Sequence, residues 1–115
     1  MNAIRDRLKA GKTLVGTAGS LSEENMSMLA NSGLDFILFD TQHSPIELKE
    51  YKDAMAAMRG KDAAPIVRVS ANRADLICFA LDLGARGIIV PMVNTKEEAI
   101  EMVRACQYSP LGDRS

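Results

Sequence analysis

Three side chains in this sequence have the chemistry to move a proton and hold an anion. The stretch FDTQHSPIE, residues 39–47, places Asp40 and the only histidine of the chain, His43, directly after an apolar run. Arg68 interrupts a second apolar run, PIVRVS. A histidine exchanges protons near neutral pH, and an arginine can hold a carboxylate together with a developing enolate oxygen. This combination suits proton transfer on a 2-oxo acid.

Each of these residues also has a purely structural interpretation. His43 is consistent with an ordinary surface residue, and Asp40 with a turn-forming or helix-capping residue. Arg68 is harder to explain in this way, because an arginine at the end of a strand in a parallel sheet is costly unless it meets an anion. A structural ion pair with Asp40 would satisfy it. Both interpretations remain open from the residues alone.

The lysines and acidic residues limit the kind of enolate chemistry. The lysines, at positions 9, 12, 49, 52, 61 and 96, all fall in predicted helices or loops. This placement disfavours a Schiff-base aldolase, which needs a desolvated lysine. Enolate chemistry without lysine normally uses a divalent metal as Lewis acid. Asp40 and His43 alone do not complete an oxygen-rich Mg²⁺ or Mn²⁺ site, so we predict no metal ligands in this chain.

Strands and helices must alternate to position these side chains. Strand patterns cover 13–19, 36–40, 65–70 and 87–93, and helix patterns cover 2–9, a segment ending at Gly33, 46–60, 74–84 and 95–108. Alternation of this kind requires parallel strands with right-handed crossovers. We therefore predict an α/β fold, either an open doubly wound sheet or half of a (β/α)8 barrel. In both, Asp40, His43 and Arg68 converge at the carboxyl ends of the strands.

Composition excludes several classes of protein. Apolar residues make up 47% of the 115 positions, and the formal net charge is -1, so a nucleic-acid or membrane-surface partner is disfavoured. No apolar run approaches the roughly 18 residues of a membrane span, and the first residues lack the apolar region of a signal peptide. Cys78 and Cys106 lie in helical patterns without a CxxC motif, which predicts buried free thiols. We predict a cytoplasmic protein.

Five segments of the chain resemble the HpcH/HpaI aldolase family in that family's order and spacing. They are LKAGKTLVGT, LANSGLDFILFDTQHSP, APIVRVS, LDLGARGIIVPMVNTKEEA and YSPLGDRS, and together they span essentially the whole sequence. The resemblance implies a (β/α)8 barrel that usually assembles into trimers or hexamers. It also implies metal-dependent cleavage of 4-hydroxy-2-oxo acids to pyruvate and an aldehyde. No GxGxxG or P-loop motif competes with this interpretation.

The resemblance also assigns roles to individual residues. His43 becomes the acid/base residue, Arg68 binds the substrate and stabilises the pyruvate enolate, and Asp82 raises the basicity of His43. Asp82 ends a predicted helix, where a carboxylate is disfavoured by the helix dipole and faces away from a barrel's active site. Asp40 is the alternative orienting carboxylate. The implied Mg²⁺, Mn²⁺ or Co²⁺ cofactor has its ligands on later strands than this chain holds.

The resemblance therefore covers the N-terminal half of an aldolase, as one domain over residues 1–115 with about four βα units. Half a barrel leaves open strand edges and an exposed interior face, which predicts a homo-oligomer. The first functional hypothesis is an aldolase-type lyase that is incomplete in this chain. The second is a non-catalytic half-barrel module for binding or assembly. The third, an unrelated doubly wound binding domain, requires His43 and Arg68 to be dispensable.

Overall fold

Four parallel strands and five helices alternate along the residues that the structure, a computed structural model, describes: 3–18, 23–42 and 48–115. The helices are α1 (Ala3–Lys9), α2 (Glu23–Ala30), α3 (Leu48–Ala57), α4 (Ala74–Asp82) and α5 (Lys96–Cys106). The strands are β1 (Gly16–Ala18), β2 (Phe36–Asp40), β3 (Ala64–Arg68) and β4 (Gly87–Ile89). The predicted alternation of strand and helix is confirmed.

The strands form one parallel sheet in the order β1-β2-β3-β4, which is also their order in the sequence. In the register of the sheet, Gly16 lies beside Phe36, and Asp40 lies beside Arg68. Arg68 in turn lies beside Ile89 of β4. Consecutive strands that are all parallel neighbours, each joined by a helix, are the arrangement of a (β/α)8 barrel over half its circumference.

One face of the sheet packs against the helices and forms the core. Ile37 and Phe39 of β2 are fully buried there, because alternate residues of a strand point to the same face. Met55 of α3 and Met58, directly after that helix, also belong to the core, since they are 2% and 3% exposed. Other members of the core come from every helix between α2 and α5: Met26, Ala30, Tyr51, Ala54, Ile77, Ala80 and Ala105.

The opposite face of the sheet is less covered. Phe36, Leu38 and Ile66 are half-buried there, and Ile89 at the end of β4 is 44% exposed. The side chains on both faces of the strands are mainly apolar, as expected for a parallel sheet. Among the described residues, however, the helices cover only the face that holds Ile37.

β1 and β4 are shorter than the predicted strands at 13–19 and 87–93, of which residue 19 lies outside the described residues. A strand lasts only as long as its neighbour offers hydrogen-bonding groups, and β3 ends at Arg68, beside Ile89. Beyond Ile89, Met92 has a φ of 58°, which breaks the extended backbone. The strands are therefore limited by their neighbours and not by their own side chains.

The helix ends follow the predicted signals. The Thr95 hydroxyl caps α5 by accepting a hydrogen bond from the Glu98 amide at 3.1 Å. The Glu98 carboxylate accepts a hydrogen bond from the Asn94 amide at 3.3 Å. In a standard capping box it would accept from the amide of the N-cap residue itself, Thr95. None of the described helices has both the length and the apolar character needed to span a membrane.

Candidate functional site

Arg68 and Asp40 form a two-pronged ion pair at the carboxyl edge of the sheet. They are the last residues of β3 and β2, and the parallel register sets them side by side on the less covered face. The Arg68 Nε donates to Asp40 Oδ1 at 2.9 Å, and the Arg68 Nη2 donates to Asp40 Oδ2. The side chains are 30% and 20% exposed, so the pair is accessible to solvent.

The turn after β2 is tied to this pair. The Gln42 amide donates to Asp40 Oδ1 at 2.9 Å, which closes a local turn on the carboxylate. The Thr41 amide and hydroxyl both donate to the Arg68 carbonyl, at 3.0 and 2.7 Å. Backbone and side chains together therefore hold the end of β2 against the end of β3.

The Asp40 carboxylate holds Arg68 in its charged form. The hydrogen bonds from Arg68 to Asp40 are the main cause that raises the pKa of Arg68; desolvation opposes this, and the negative charge of Asp40 adds a smaller increase. A guanidinium carries five N–H donors, and the contacts with Asp40 engage Nε and one Nη2 hydrogen. The pairing thus fixes the plane of the guanidinium while the Nη1 edge points away from Asp40.

His43, the predicted acid/base residue, lies outside the described residues. The structure therefore brings together two of the three residues that the sequence places at this edge. Other polar residues of the same edge serve the fold. The Asn72 amide nitrogen donates to the Glu98 carbonyl at 3.0 Å, and that of Asn94 donates to the Met92 carbonyl at 3.1 Å.

Asp82 lies at the other edge of the sheet. It is the last residue of α4, and the turn after it leads into β4, where the Arg86 amide donates to the Pro65 carbonyl near the start of β3. Asp82 Oδ1 accepts from Arg114 Nη2 at 2.9 Å, and Oδ2 accepts from Cys78 Sγ at 3.6 Å. The hydrogen bond from Arg114 is the main cause that lowers the pKa of Asp82.

Arg114 anchors the YSPLGDRS segment, which the sequence predicts only as a loop. Its guanidinium carbon lies 4.6 Å from the centre of the Tyr108 ring, in a cation–π contact. A second pair, Arg104 with Asp113, ties the same segment to α5 through bonds of 3.0 and 2.8 Å. The adjacent opposite charges of Asp113 and Arg114 are the signal in the sequence from which ion pairs of this segment could have been predicted.

A cavity of about 220 Å³ lies on the helix side of the carboxyl edge. It is lined by Thr41, Tyr51, Val67, Val69, Ser70, Leu76, Phe79 and Ala80. The Tyr51 hydroxyl is buried and has no hydrogen-bond partner among the described residues. Burial raises the pKa of Tyr51, because the tyrosinate would lose its hydration. The sequence gives no signal for this unsatisfied hydroxyl, because Tyr51 stands there as one more apolar residue in a series with Met55 and Met58.

The described parts of the chain do not provide a metal site. Within residues 3–18, 23–42 and 48–115, no group of three or more His, Cys, Asp or Glu side chains is placed to hold a metal ion. The carboxylates near the carboxyl edge are also engaged, since Asp40 is paired with Arg68. Cys78 and Cys106 are free and half-buried, so they are less buried than predicted.

A parallel sheet in sequential strand order, with helices on one face, is the arrangement of half of a (β/α)8 barrel, and the Arg68–Asp40 pair lies at its carboxyl edge. The HpcH/HpaI aldolase/citrate lyase family model matches residues 18–115. The chain belongs to this family, as its sequence motifs imply.

Known relatives show the same half-length correspondence. The hydroxypyruvate/pyruvate aldolase of Roseobacter denitrificans is 42% identical over 115 residues, which are 99% of this chain and 45% of that enzyme. The 4-hydroxy-2-oxo-heptane-1,7-dioate aldolase of Klebsiella pneumoniae is 38% identical over 98% of this chain and 43% of its own length. An HpcH/HpaI aldolase/citrate lyase family protein from Burkholderia cenocepacia superposes with a TM-score of 0.88 at 28% identity, over 100% of this chain and 48% of its own. The chain thus spans about half the length of these relatives.

Proposed function

We propose that this chain supplies the anion-binding and proton-transfer half of an aldolase site. The complete site would cleave 4-hydroxy-2-oxo acids to pyruvate and an aldehyde. The observation that carries the proposal is the Arg68–Asp40 pair, which presents a fixed, charged guanidinium at the carboxyl edge of the sheet. Relatives that align over nearly the whole chain support the substrate class, since one is named a hydroxypyruvate/pyruvate aldolase and another a 4-hydroxy-2-oxo-heptane-1,7-dioate aldolase.

Arg68 is the proposed enolate-binding residue. Carbon–carbon cleavage leaves an electron pair on the three-carbon fragment, and this charge delocalises onto the oxygen at C2. A guanidinium that is already oriented by Asp40 can donate to that oxygen and to the neighbouring carboxylate without reorganising. Asp40 acts through Arg68 in this scheme and is a positioning residue.

His43 is the proposed acid/base residue. It takes the proton of the 4-hydroxyl group, the bond between C3 and C4 breaks, and the aldehyde carbonyl forms at C4. The electron pair of the broken bond becomes the enolate, which returns to pyruvate when C3 receives a proton. A histidine suits both proton transfers near neutral pH. Its position in the sequence, directly after the turn at Thr41 and Gln42, supports a role at the same edge.

The orienting carboxylate for His43 has two candidates. Asp82, implied by the family resemblance, lies at the amino edge of the sheet and is paired with Arg114. Asp40 lies at the carboxyl edge, three positions before His43 in the sequence. The geometry of a single chain favours Asp40, and the proposed role of Asp82 would require it to approach the base from another copy of the protein.

The divalent metal implied by the family does not fit the described residues, because no metal-binding group is present among them. The proposed chemistry of this chain therefore contains no step through a metal. The free cysteines support the proposed cytoplasmic location, since thiols remain reduced there.

A second candidate is a non-catalytic module for binding or assembly. The observation that favours it is the less covered face of the sheet, where Ile89 is 44% exposed. In this function Arg68 and Asp40 would serve only as an ion pair that joins β2 to β3.

Exchange of the pyruvate methyl protons for deuterium, followed by NMR, separates the two functions. Enolisation requires only the base and the enolate-binding group, so the identity of the aldehyde does not matter. We expect exchange both without and with added Mg²⁺, Mn²⁺ or Co²⁺, and its loss in His43→Ala. Arg68→Lys keeps the positive charge but removes the two-pronged hydrogen bonding of the guanidinium. This variant is expected to slow exchange by roughly 100-fold.

The matched control is Arg73→Lys. Arg73 also pairs with an aspartate, Asp75, but both side chains are more than 60% exposed on the surface. This variant is expected to exchange at the wild-type rate. Absence of exchange with every metal, from a sample whose circular dichroism shows it folded, would refute the catalytic proposal and leave the binding module.

A further inference from the structure

Thr41 makes two hydrogen bonds to a single backbone atom at the functional edge of the sheet. Its amide donates to the Arg68 carbonyl at 3.0 Å, and its side-chain hydroxyl donates to the same oxygen at 2.7 Å. The amide bond continues the parallel pairing of β2 with β3, in which Asp40 lies beside Arg68. The hydroxyl bond is additional, because the pairing of two strands uses backbone groups alone.

The Thr41 side chain lies on the opposite face of the sheet from the Arg68–Asp40 pair. Successive residues of an extended chain point to alternate faces, and Thr41 follows Asp40 directly. On the helix side, Thr41 lines the cavity of about 220 Å³ together with Val67 and Val69. Thr41 is therefore not placed to touch a substrate held by Arg68, and its effect on that site passes through the Arg68 backbone.

Thr41, Asp40 and Arg68 form a closed ring of contacts that passes through the sheet. On the helix side, the Thr41 hydroxyl holds the Arg68 carbonyl. On the other side, the Asp40 carboxylate accepts from Arg68 Nε at 2.9 Å, and from the Gln42 amide at the same distance. A shift of the Arg68 backbone relative to β2 would therefore strain the contacts on both faces together.

We propose that Thr41 is a positioning residue for Arg68. Its hydroxyl fixes the Arg68 backbone from the far face of the sheet, and thereby the plane of the guanidinium that Asp40 holds. The consequence for catalysis rests on the proposed function, since a preorganised guanidinium assists the reaction only if Arg68 binds the enolate. The consequence for the Arg68–Asp40 pair itself holds without any reaction.

Thr41→Val removes the hydroxyl and keeps the branched shape of the side chain. The new methyl group meets the apolar wall of the cavity, and the backbone amide at this position still satisfies the Arg68 carbonyl, so we expect a folded variant with nearly the wild-type Tm. Thr41→Ser keeps the hydroxyl. The matched control is Thr17→Val on β1, because the Thr17 hydroxyl donates at 3.5 Å to the carbonyl of the next residue, Ala18, a bond that joins no two strands.

NMR of the Arg68 Nε–H group measures the positioning directly, without a substrate. In the wild type we expect this proton to be protected from exchange with water by its bond to Asp40. In Thr41→Val its exchange should be about five-fold faster, the change in population that one hydrogen bond of typical net strength produces. Thr41→Ser and Thr17→Val should keep the wild-type rate. An unchanged rate in Thr41→Val would overturn the proposal, whatever the catalytic activity.

Deuterium exchange of the pyruvate methyl protons tests the catalytic consequence. A misplacement of about 1 Å can cost roughly 100-fold in rate, and the retained amide bond limits the shift, so Thr41→Val should slow this reaction by about 10-fold and Thr41→Ser should restore it. Equal rates in the wild type and Thr41→Val would overturn the positioning role and leave the proposed function standing.

A wild type without pyruvate exchange would instead refute the proposed function, and the Arg68 Nε–H rates would still decide whether Thr41 positions Arg68. If Thr41→Val does not fold, the unmodified chain decides. Its Thr41 hydroxyl proton should be protected from exchange with water by the bond to the Arg68 carbonyl. A hydroxyl proton that exchanges as fast as that of an unstructured peptide would overturn the proposal.

Discussion

Replacing Tyr51 by phenylalanine should stabilise this protein. The ring of Tyr51 is well packed, because it meets Phe39 edge-on at 6.3 Å between ring centres and stacks on Phe79 at 6.2 Å. Its hydroxyl, in contrast, is buried and finds no hydrogen-bond partner within residues 3–18, 23–42 and 48–115. Tyr51→Phe keeps the aromatic packing and removes only the unsatisfied donor.

The magnitude follows from the cost of the buried hydroxyl. A buried polar group without a partner destabilises the folded state by about 1–3 kcal/mol relative to water. Removing the oxygen also enlarges the adjacent cavity of about 220 Å³ slightly, and this offsets part of the gain in stability. We therefore expect the free energy of unfolding to rise by about 1 kcal/mol, which corresponds to a Tm increase of about 4 °C for a chain of this length.

Urea denaturation and differential scanning calorimetry at one fixed protein concentration measure this change, because association would otherwise shift the Tm. The control is Tyr108→Phe, since Tyr108 is 58% exposed and its substitution should change stability by less than about 0.5 kcal/mol. The advantage of Tyr51→Phe should also widen at high pH. The folded-state pKa of Tyr51 is raised, so wild-type stability declines once the unfolded chain ionises near pH 10.

A loss of stability in Tyr51→Phe, with Tyr108→Phe unchanged, would refute this reasoning. It would mean that the Tyr51 hydroxyl has an acceptor in solution, such as a water held in the cavity beside Thr41 and Ser70. The cavity would then be a polar, hydrated site instead of a dry gap in the packing.

Three further substitutions test separate parts of the fold. Thr95→Ala, by removing the cap of α5, should lower the free energy of unfolding in urea by about 1 kcal/mol, and an unchanged midpoint would contradict the capping role. Gly112→Ala should prevent stable folding of the GDRS segment, because a Cβ there would lie 2.3 Å from two backbone oxygens; wild-type thermal stability would refute this contact. The pKa of Asp35 is lowered by the Val15 amide and then by Arg7, so this group stabilises the fold above its unfolded pKa near 4 and loses that contribution as pH falls further. Asp35→Asn should therefore flatten the acid decline of the Tm, and an unaltered decline would argue against these contacts.

Local signals account for the helices and for the order of elements. The methionine stripe of α3, the cap at Thr95 and the stop at Gly33, whose φ is 88°, each act within a few residues of sequence. They predict helix positions well because helical hydrogen bonds and caps are local. The alternation of strands and helices likewise predicts Arg68 and Asp40 as neighbours at the carboxyl edge, and the register confirms this.

Tertiary structure decided what depends on distant partners. The start of β1 coincides with the start of β2, and the end of β4 with the end of β3, and these limits are not encoded in the residues of β1 or β4 themselves. The sequence leaves Arg68 with two interpretations, and the parallel register of β2 and β3 selects the contact with Asp40. Asp82 pairs with Arg114, 32 positions away. Strand composition shows that both faces of the sheet are apolar, but only the packing of the helices determines that one face is buried and the other remains open.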